Sequence, residues 1–362
     1  MAYGNTPPPG PPPGWGGRPG WMPPSAPRPG VIPLRPLGLG DVLGGAFTTM
    51  GRYWKPLFGI AVAVYGAATA VGAVSLAVAY GLVGDHLDRV MDVTGEQAPA
   101  WDDTRPLLIA FIAVWLLAGL SMLLATAMIY ASCPAILQDA VLGRPVTFGT
   151  VWRRAWSQVP AVIGALFLTA LAFLIPLVLF VTACVALVVA LATQDSGSFI
   201  LPPLAFLGSL ATTPLGVWLW VKFSLAPAAA VFERQGPIAA MRRSAQLVRG
   251  NWWRIFGISL LAAVIAAVAS YVIQLPLNLL GMVPGSIGAS DLGTDPTASQ
   301  VLVAMGGLLI VMAVGQLIAQ IFAATFPQLV VSLLYVDQRI RGENLAPALA
   351  EAAAVPPARY AY

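Results

Sequence analysis

Six stretches of this chain are each long and apolar enough to cross a bilayer, at 56–83, 106–131, 160–192, 199–225, 255–282 and 300–326. About 20 apolar residues on a helix cover roughly 30 Å of hydrocarbon. A segment in lipid must satisfy its own backbone N–H and C=O groups, so runs of this length fold as helices. The expected class is therefore an all-α polytopic membrane protein with six transmembrane helices. Composition agrees, since 58% of the residues are apolar and 9% are charged. No charged start, short apolar core and small-residue cleavage site precedes the first run, so the N-terminus is expected to remain on the chain.

Basic residues near span ends resist translocation, whereas acidic ones count for little. Seventeen of the nineteen Lys and Arg lie in the tails and in 132–159 and 222–254, and only Arg89 and Arg105 lie in the other loops. Those loops hold nine of the fifteen acidic residues, among them Asp85, Asp92, Asp102, Asp195 and Asp291. The reading is a cell-membrane, multi-pass protein with both termini cytoplasmic, a basic inner face and an acidic outer one. The net charge of +4 needs no nucleic-acid partner. Cys133 falls at the inner end of the second run and Cys184 near the outer leaflet, too far apart for a disulfide, which requires Cα atoms within about 7 Å. Both are expected to be buried, unpaired and apolar in character.

The segment GPIAAMRRSAQLVRGNWWRIFG starts at residue 236 and concentrates charge and aromatics between two apolar runs. On a helix, Ile238, Met241, Ala245, Val248 and Trp252 form one stripe. Arg242 and Arg249 flank it, and Arg243 and Arg254 lie opposite. Such a helix is expected to lie flat in the headgroup layer with Trp252 and Trp253 at the interfacial belt. Arg242, Arg243, Arg249, Trp252, Trp253 and Arg254 are thus the lipid-interface candidates, and anionic membrane lipid is the expected partner.

The pattern recurs. Gly38 and Gly59, Gly143 and Gly164, and Gly236 and Gly257 are each 21 residues apart, and each second glycine stands at the start of an odd-numbered span. Between them, matching positions carry Leu43, Phe148 and Met241; Phe47, Trp152 and Ala245; Met50, Ala155 and Val248; and Trp54, Val159 and Trp252. Pro134 and Pro227 stand nine residues before Gly143 and Gly236. The spacing predicts three two-span units, each preceded by an interfacial amphipathic helix, related as parallel repeats about the membrane normal.

With RPLGLGDVLGGAF at 35–47, RRSAQLVRGNWWRIFG at 242–257 and LLYVDQRIRGENL at 333–345, the chain resembles actinobacterial six-span integral membrane proteins known by the name glycerophosphoryl diester phosphodiesterase membrane domain. The resemblance covers about residues 31–345. In complete enzymes of that name a soluble barrel performs hydrolysis with His pairs and metal-binding carboxylates. This chain has one histidine, His86, so the resemblance implies a membrane part without its own active site.

The residues themselves point the same way. DHLDRVMD at 85–92 offers Asp85, His86, Asp88 and Asp92, but without the ligand spacing of a defined metal site. No P-loop, dinucleotide fingerprint, nucleophile elbow or Cys-x-x-Cys occurs. No enzyme activity and no cofactor are expected. Gln274 with Asn278, and Gln316 with Gln320, form i, i+4 pairs inside spans five and six. They read first as interhelical hydrogen-bonding groups and second as the lining of a path for a small solute or lipid. Pro176, Pro202, Pro203, Pro214 and Pro276 interrupt spans and read as tolerated kinks.

Residues 1–35 form a Pro/Gly-rich cytoplasmic tail, 36–345 the six-helix membrane domain and 346–362 a cytoplasmic C-terminal tail. With thirteen Pro and seven Gly in residues 1–36, the first segment reads as a disordered tether. The alternative is a docking strand for a cytoplasmic protein, anchored by Trp15 and Trp21. The expected function is a non-catalytic accessory or scaffold of the cell envelope that engages anionic lipid. The alternatives are a transporter or the membrane part of a phosphodiesterase system. Oligomeric state stays open.

Overall fold

The computed structural model describes residues 30–33, 35–91, 101–193, 200–282 and 298–343, with 345, 347–349 and 351. Among these, nine helices follow in order: α1 (Leu39–Arg52), α2 (Trp54–Met91), α3 (Trp101–Val141), α4 (Phe148–Thr193), α5 (Leu201–Phe223), α6 (Ala226–Glu233), α7 (Pro237–Val248), α8 (Trp252–Met282) and α9 (Ala298–Glu343). No strand occurs among the described residues. The six apolar runs lie on α2, α3, α4, α5, α8 and α9, and the fold is that of an all-α polytopic membrane protein. The described residues hold seven stretches long and apolar enough to span a membrane, because the single helix α4 carries two, Phe148–Leu171 and Phe173–Leu191.

Helix length explains where the core sits. α3, α4 and α9 have 41, 46 and 46 residues, and at 1.5 Å per residue they measure roughly 60–70 Å, about twice the hydrocarbon thickness. The C-terminal parts of α3 and α9 and the N-terminal part of α4 pack with α1, α6 and α7 into a layer at the basic end of the bundle. Met128, Ile136 and Leu137 of α3, Leu225 beside α6, Ile255 of α8, and Phe326, Leu329 and Tyr335 of α9 are fully buried there. Elsewhere the large apolar side chains face outward, as with Leu76 and Leu82 on α2, Phe111 and Leu116 on α3, and Leu204 and Leu210 on α5. Lipid is as apolar as leucine and gives helices little reason to bury such side chains against one another. The buried core accumulates instead at the basic end, where the ends of the long helices converge with α1, α6 and α7.

The hairpins are α2 with α3, α4 with α5 and α8 with α9, as the two-span units require. The repeated glycines have local reasons. Gly38 and Gly236 are the extended N-caps of α1 and α7, and Gly143 adopts φ +69° in the turn before α4. A Cβ on Gly59 would lie 3.4 Å from the ring of Phe148, and one on Gly164 would lie 2.8 Å from Cβ of Pro237. Each of these odd spans therefore meets the first residue of the next unit's amphipathic stretch. Gly257 meets nothing within 4 Å. Pro327 near the basic end of α9 joins Pro134 and Pro227 as the counterpart in the third unit, one the spacing to a following glycine did not reveal.

Four expectations change. The amphipathic stretch of the second unit is not a separate interfacial helix, since α4 runs without a break from Phe148 into the span; no turn residue interrupts VWRRAWSQV. The packed body begins before residue 36: Ile32 is fully buried and the Val31 N–H donates to the Ala140 carbonyl at 3.2 Å. At the other end, Leu349 packs against the core beyond the expected boundary at 345. Cys133 is buried as expected, but Cys184 is exposed on α4. Residues 1–29, the loop residues Asp92, Asp195 and Asp291, and the C-terminal tail from 352 lie outside the described residues.

Candidate functional site

Each even-numbered span ends at the basic face with a carboxylate, and each carboxylate is held by the amphipathic segment of the following unit. Asp139, near the end of α3, accepts from Arg154 Nη1 of α4 at 3.1 Å. Glu233, the last residue of α6, accepts from Arg243 Nε of α7 at 2.8 Å and from the Tyr335 hydroxyl at 2.6 Å. Asp337 of α9, fully buried, accepts from the Leu37 backbone N–H at 2.8 Å, just before α1. The third unit thus closes back onto the first. Arg254 of α8 pairs with Asp337 and donates through Nη2 to the Leu37 carbonyl at 2.8 Å, where Arg341 Nη2 donates at the same distance. Two guanidinium groups and one backbone N–H therefore surround a carboxylate that has no access to water.

The Glu233 cluster extends outward. Arg243 also pairs with Glu343, whose other oxygen accepts from Arg339 Nε at 2.8 Å. Burial opposes ionisation of Glu343, but hydrogen bonds from Arg339 and Arg243 outweigh it and hold its carboxyl below the usual range. Tyr335 moves the other way, because burial and donation of its hydroxyl to Glu233 both favour the neutral phenol.

Against this framework the six interface candidates divide. Arg243 and Arg254 are directed into the protein, paired with Glu233, Glu343 and Asp337; they hold the units together, and the expectation that they face headgroups is corrected. Arg242 and Arg249 are exposed and have no carboxylate partner among the described residues. Trp253 is 78% exposed. Trp252 is half-buried, stacked on Phe256 at 5.1 Å, with Nε1 donating to the Trp218 carbonyl at 3.4 Å. The buried face of α7 also differs from the expected stripe. Ala240, Ser244 and Val248 point inward while Ile238 is 61% exposed. Small residues let α7 wedge among α4, α5, α6 and α9, with Leu247 packed against the core and Ile238 left outside.

The first two units carry further exposed cations and indoles toward the basic end that the single-segment reading missed. Arg52 and Lys55 flank exposed Trp54 in the first unit, and Arg153 neighbours exposed Trp156 in the second. None of these cations has a carboxylate partner among the described residues. With Arg242, Arg249 and Trp253 they form a collar around the basic end. The repeat carried part of the signal, since its sixteenth column holds Trp54, whereas Trp156 and Trp253 fall outside the matched columns.

The intramembrane polar candidates do not gather. Gln316 is exposed, Gln274 and Gln320 are half-buried, and Asn278 lies on α8 with a side chain outside the described residues. Two clefts of about 960 and 830 Å³ lie between the halves of α2 and α3 nearer the acidic end, and neither is lined by these glutamines. At the acidic end, Asp103 Oδ1 stands 3.0 Å from both His86 Nδ1 and Arg89 Nη1, tying α3 to α2. No group of three or more potential metal ligands occurs among the described residues.

Fold and collar together define a polytopic membrane protein with three hairpin units joined at one end by half-buried ion pairs and the buried Asp337 carboxylate. The chain belongs to the family of the domain of unknown function DUF7847, whose model matches residues 57–333. No curated protein and no solved structure matches it.

Proposed function

We propose that this protein is a non-catalytic scaffold of the cell membrane, with both termini cytoplasmic, whose basic end engages anionic lipid of the inner leaflet. The observation that carries this reading is the collar. All three units carry exposed Trp and cations without carboxylate partners toward the basic end, while Asp139, Glu233, Asp337 and Glu343 at that end are already paired with other arginines. Unneutralised cations beside indoles match the charged headgroup layer, where each is worth about 1 kcal/mol of attraction. A membrane part serving a separate phosphodiesterase is the form of this reading that the three sequence motifs suggest.

The test is the lipid shell of the protein in nanodiscs of equal phosphatidylglycerol and phosphatidylcholine. Enrichment of phosphatidylglycerol around the wild type, lost when Arg52, Lys55, Arg153 and Arg242 are changed to Gln, is the expected result. An unenriched wild-type shell would reject the reading.

A further inference from the structure

We infer that the cleft between the inner end of α5 and the α7–α8 junction binds one phosphate ester, supplied by the headgroup of an anionic phospholipid; this rests on the lipid reading above and gives it a specific site. The cleft has a volume of about 510 Å³ and is lined by Trp218, Lys222, Gln246, Arg249, Gly250 and Trp252, among others, none of them acidic. Lys222 and Arg249 bring two positive charges to it, and neither has a carboxylate partner among the described residues. Their chemistry fits a phosphate, to which Lys offers a compact point charge and Arg a planar fork of donors.

The site is built. The Ser244 hydroxyl donates to the Lys222 carbonyl at 2.8 Å, fixing α5 against α7. Trp252 Nε1 reaches the Trp218 carbonyl at 3.4 Å and closes the α8 side. Lys222 Nζ lies 4.5 Å from the centre of the Trp218 ring, so its ammonium is held over an indole face while keeping its donors for a ligand. At the rim, Gly250 adopts φ +86°, and a Cβ there would meet nothing within 4 Å. The left-handed turn carries Arg249 past the end of α7 without filling the space in front of it. Two indoles beside the cations set the site at the depth where glycerol phosphate joins acyl chains. Gln246 adds an amide able to donate to a glycerol oxygen or accept from a hydroxyl.

The test uses the full chain in a neutral detergent, with tightly retained lipid read by native mass spectrometry after addition of dioleoyl phosphatidylglycerol or dioleoyl phosphatidylcholine. The wild type should retain one phosphatidylglycerol in preference to phosphatidylcholine. Lys222→Gln with Arg249→Gln should weaken that retention about twenty-fivefold, from about fivefold per cation, while Arg52→Gln with Arg153→Gln, which bear on the surrounding lipid shell, should weaken it by less than about fivefold. sn-Glycerol 3-phosphate added at millimolar concentration separates the sources. Failure to displace the lipid supports the headgroup assignment, and full displacement assigns the cleft to a soluble phosphate ester and overturns the lipid source. Equal weakening by both double variants would overturn the specific site and leave the collar reading standing. No preference for phosphatidylglycerol in the wild type would remove both. Retention of native-like unfolding by the Lys222/Arg249 variant, measured in the same detergent, separates lost binding from lost fold.

Discussion

Asp337 shows how much of the molecule can depend on one residue. Its carboxylate is fully buried and receives Leu37 N–H, Arg254 and Arg341, so it joins the start of the first unit to both helices of the third. Asp337→Asn would leave two guanidinium groups facing a neutral amide inside the protein. Removing one partner from such a cluster costs about 3 kcal/mol or more, and the thermal midpoint in detergent should fall by several degrees, while Arg242→Gln leaves it unchanged. Glu343 gives a pH-dependent counterpart. Because its carboxyl is lowered from an ordinary value of 4.5, its contribution is fully present above pH 4.5 and is lost as pH falls through the lowered value. The stability difference between wild type and Glu343→Gln should therefore shrink below pH 4.5 and hold steady above it. Sequence alone separated outward-facing from protein-facing arginines poorly. Arg242 and Arg243 are neighbours with the same helical propensity, and only the position of Glu233 ten residues earlier, brought close by the turn at 234–236, decides between them.

At the scale of elements, the apolar runs translated directly into helices, because in lipid a backbone has no other way to satisfy its hydrogen bonds. Ends were less readable. Hydropathy marks where hydrocarbon stops, but α3 and α9 continue to Val141 and Glu343 because their last turns bury apolar side chains against one another rather than fray. The repeated glycines were readable as a spacing, though not as contacts: Gly164 allows close approach and Gly257 does not. This makes a paired prediction. Gly164→Val should press on Pro237 and destabilise the fold by about 1–3 kcal/mol, whereas Gly257→Ala should change stability by less than about 0.5 kcal/mol. Chemical denaturation of both variants in one detergent measures the difference. Equal effects would mean that the α4 to α7 contact does not hold the second unit to the third.

For the whole molecule, segregation of charge and segregation of packing coincide. The end that carries most of the arginines is also the end with the buried core, the two ion pairs and the Leu37–Asp337 hydrogen bond that link the units in a ring, and the collar of exposed cations and indoles. The central claim is that this end faces the cytoplasm and the anionic inner leaflet. Single cysteines at Arg242 and at Asp85, in a background with Cys133 and Cys184 changed to Ala, test it directly with an impermeant thiol reagent on intact cells. Arg242 is exposed beside the collar, a better probe than Ser244, which is buried against the Lys222 carbonyl. Asp85 is exposed at the opposite end of α2. The account predicts labelling at 85 from outside and labelling at 242 only after the membrane is permeabilised; labelling of 242 in intact cells would contradict it.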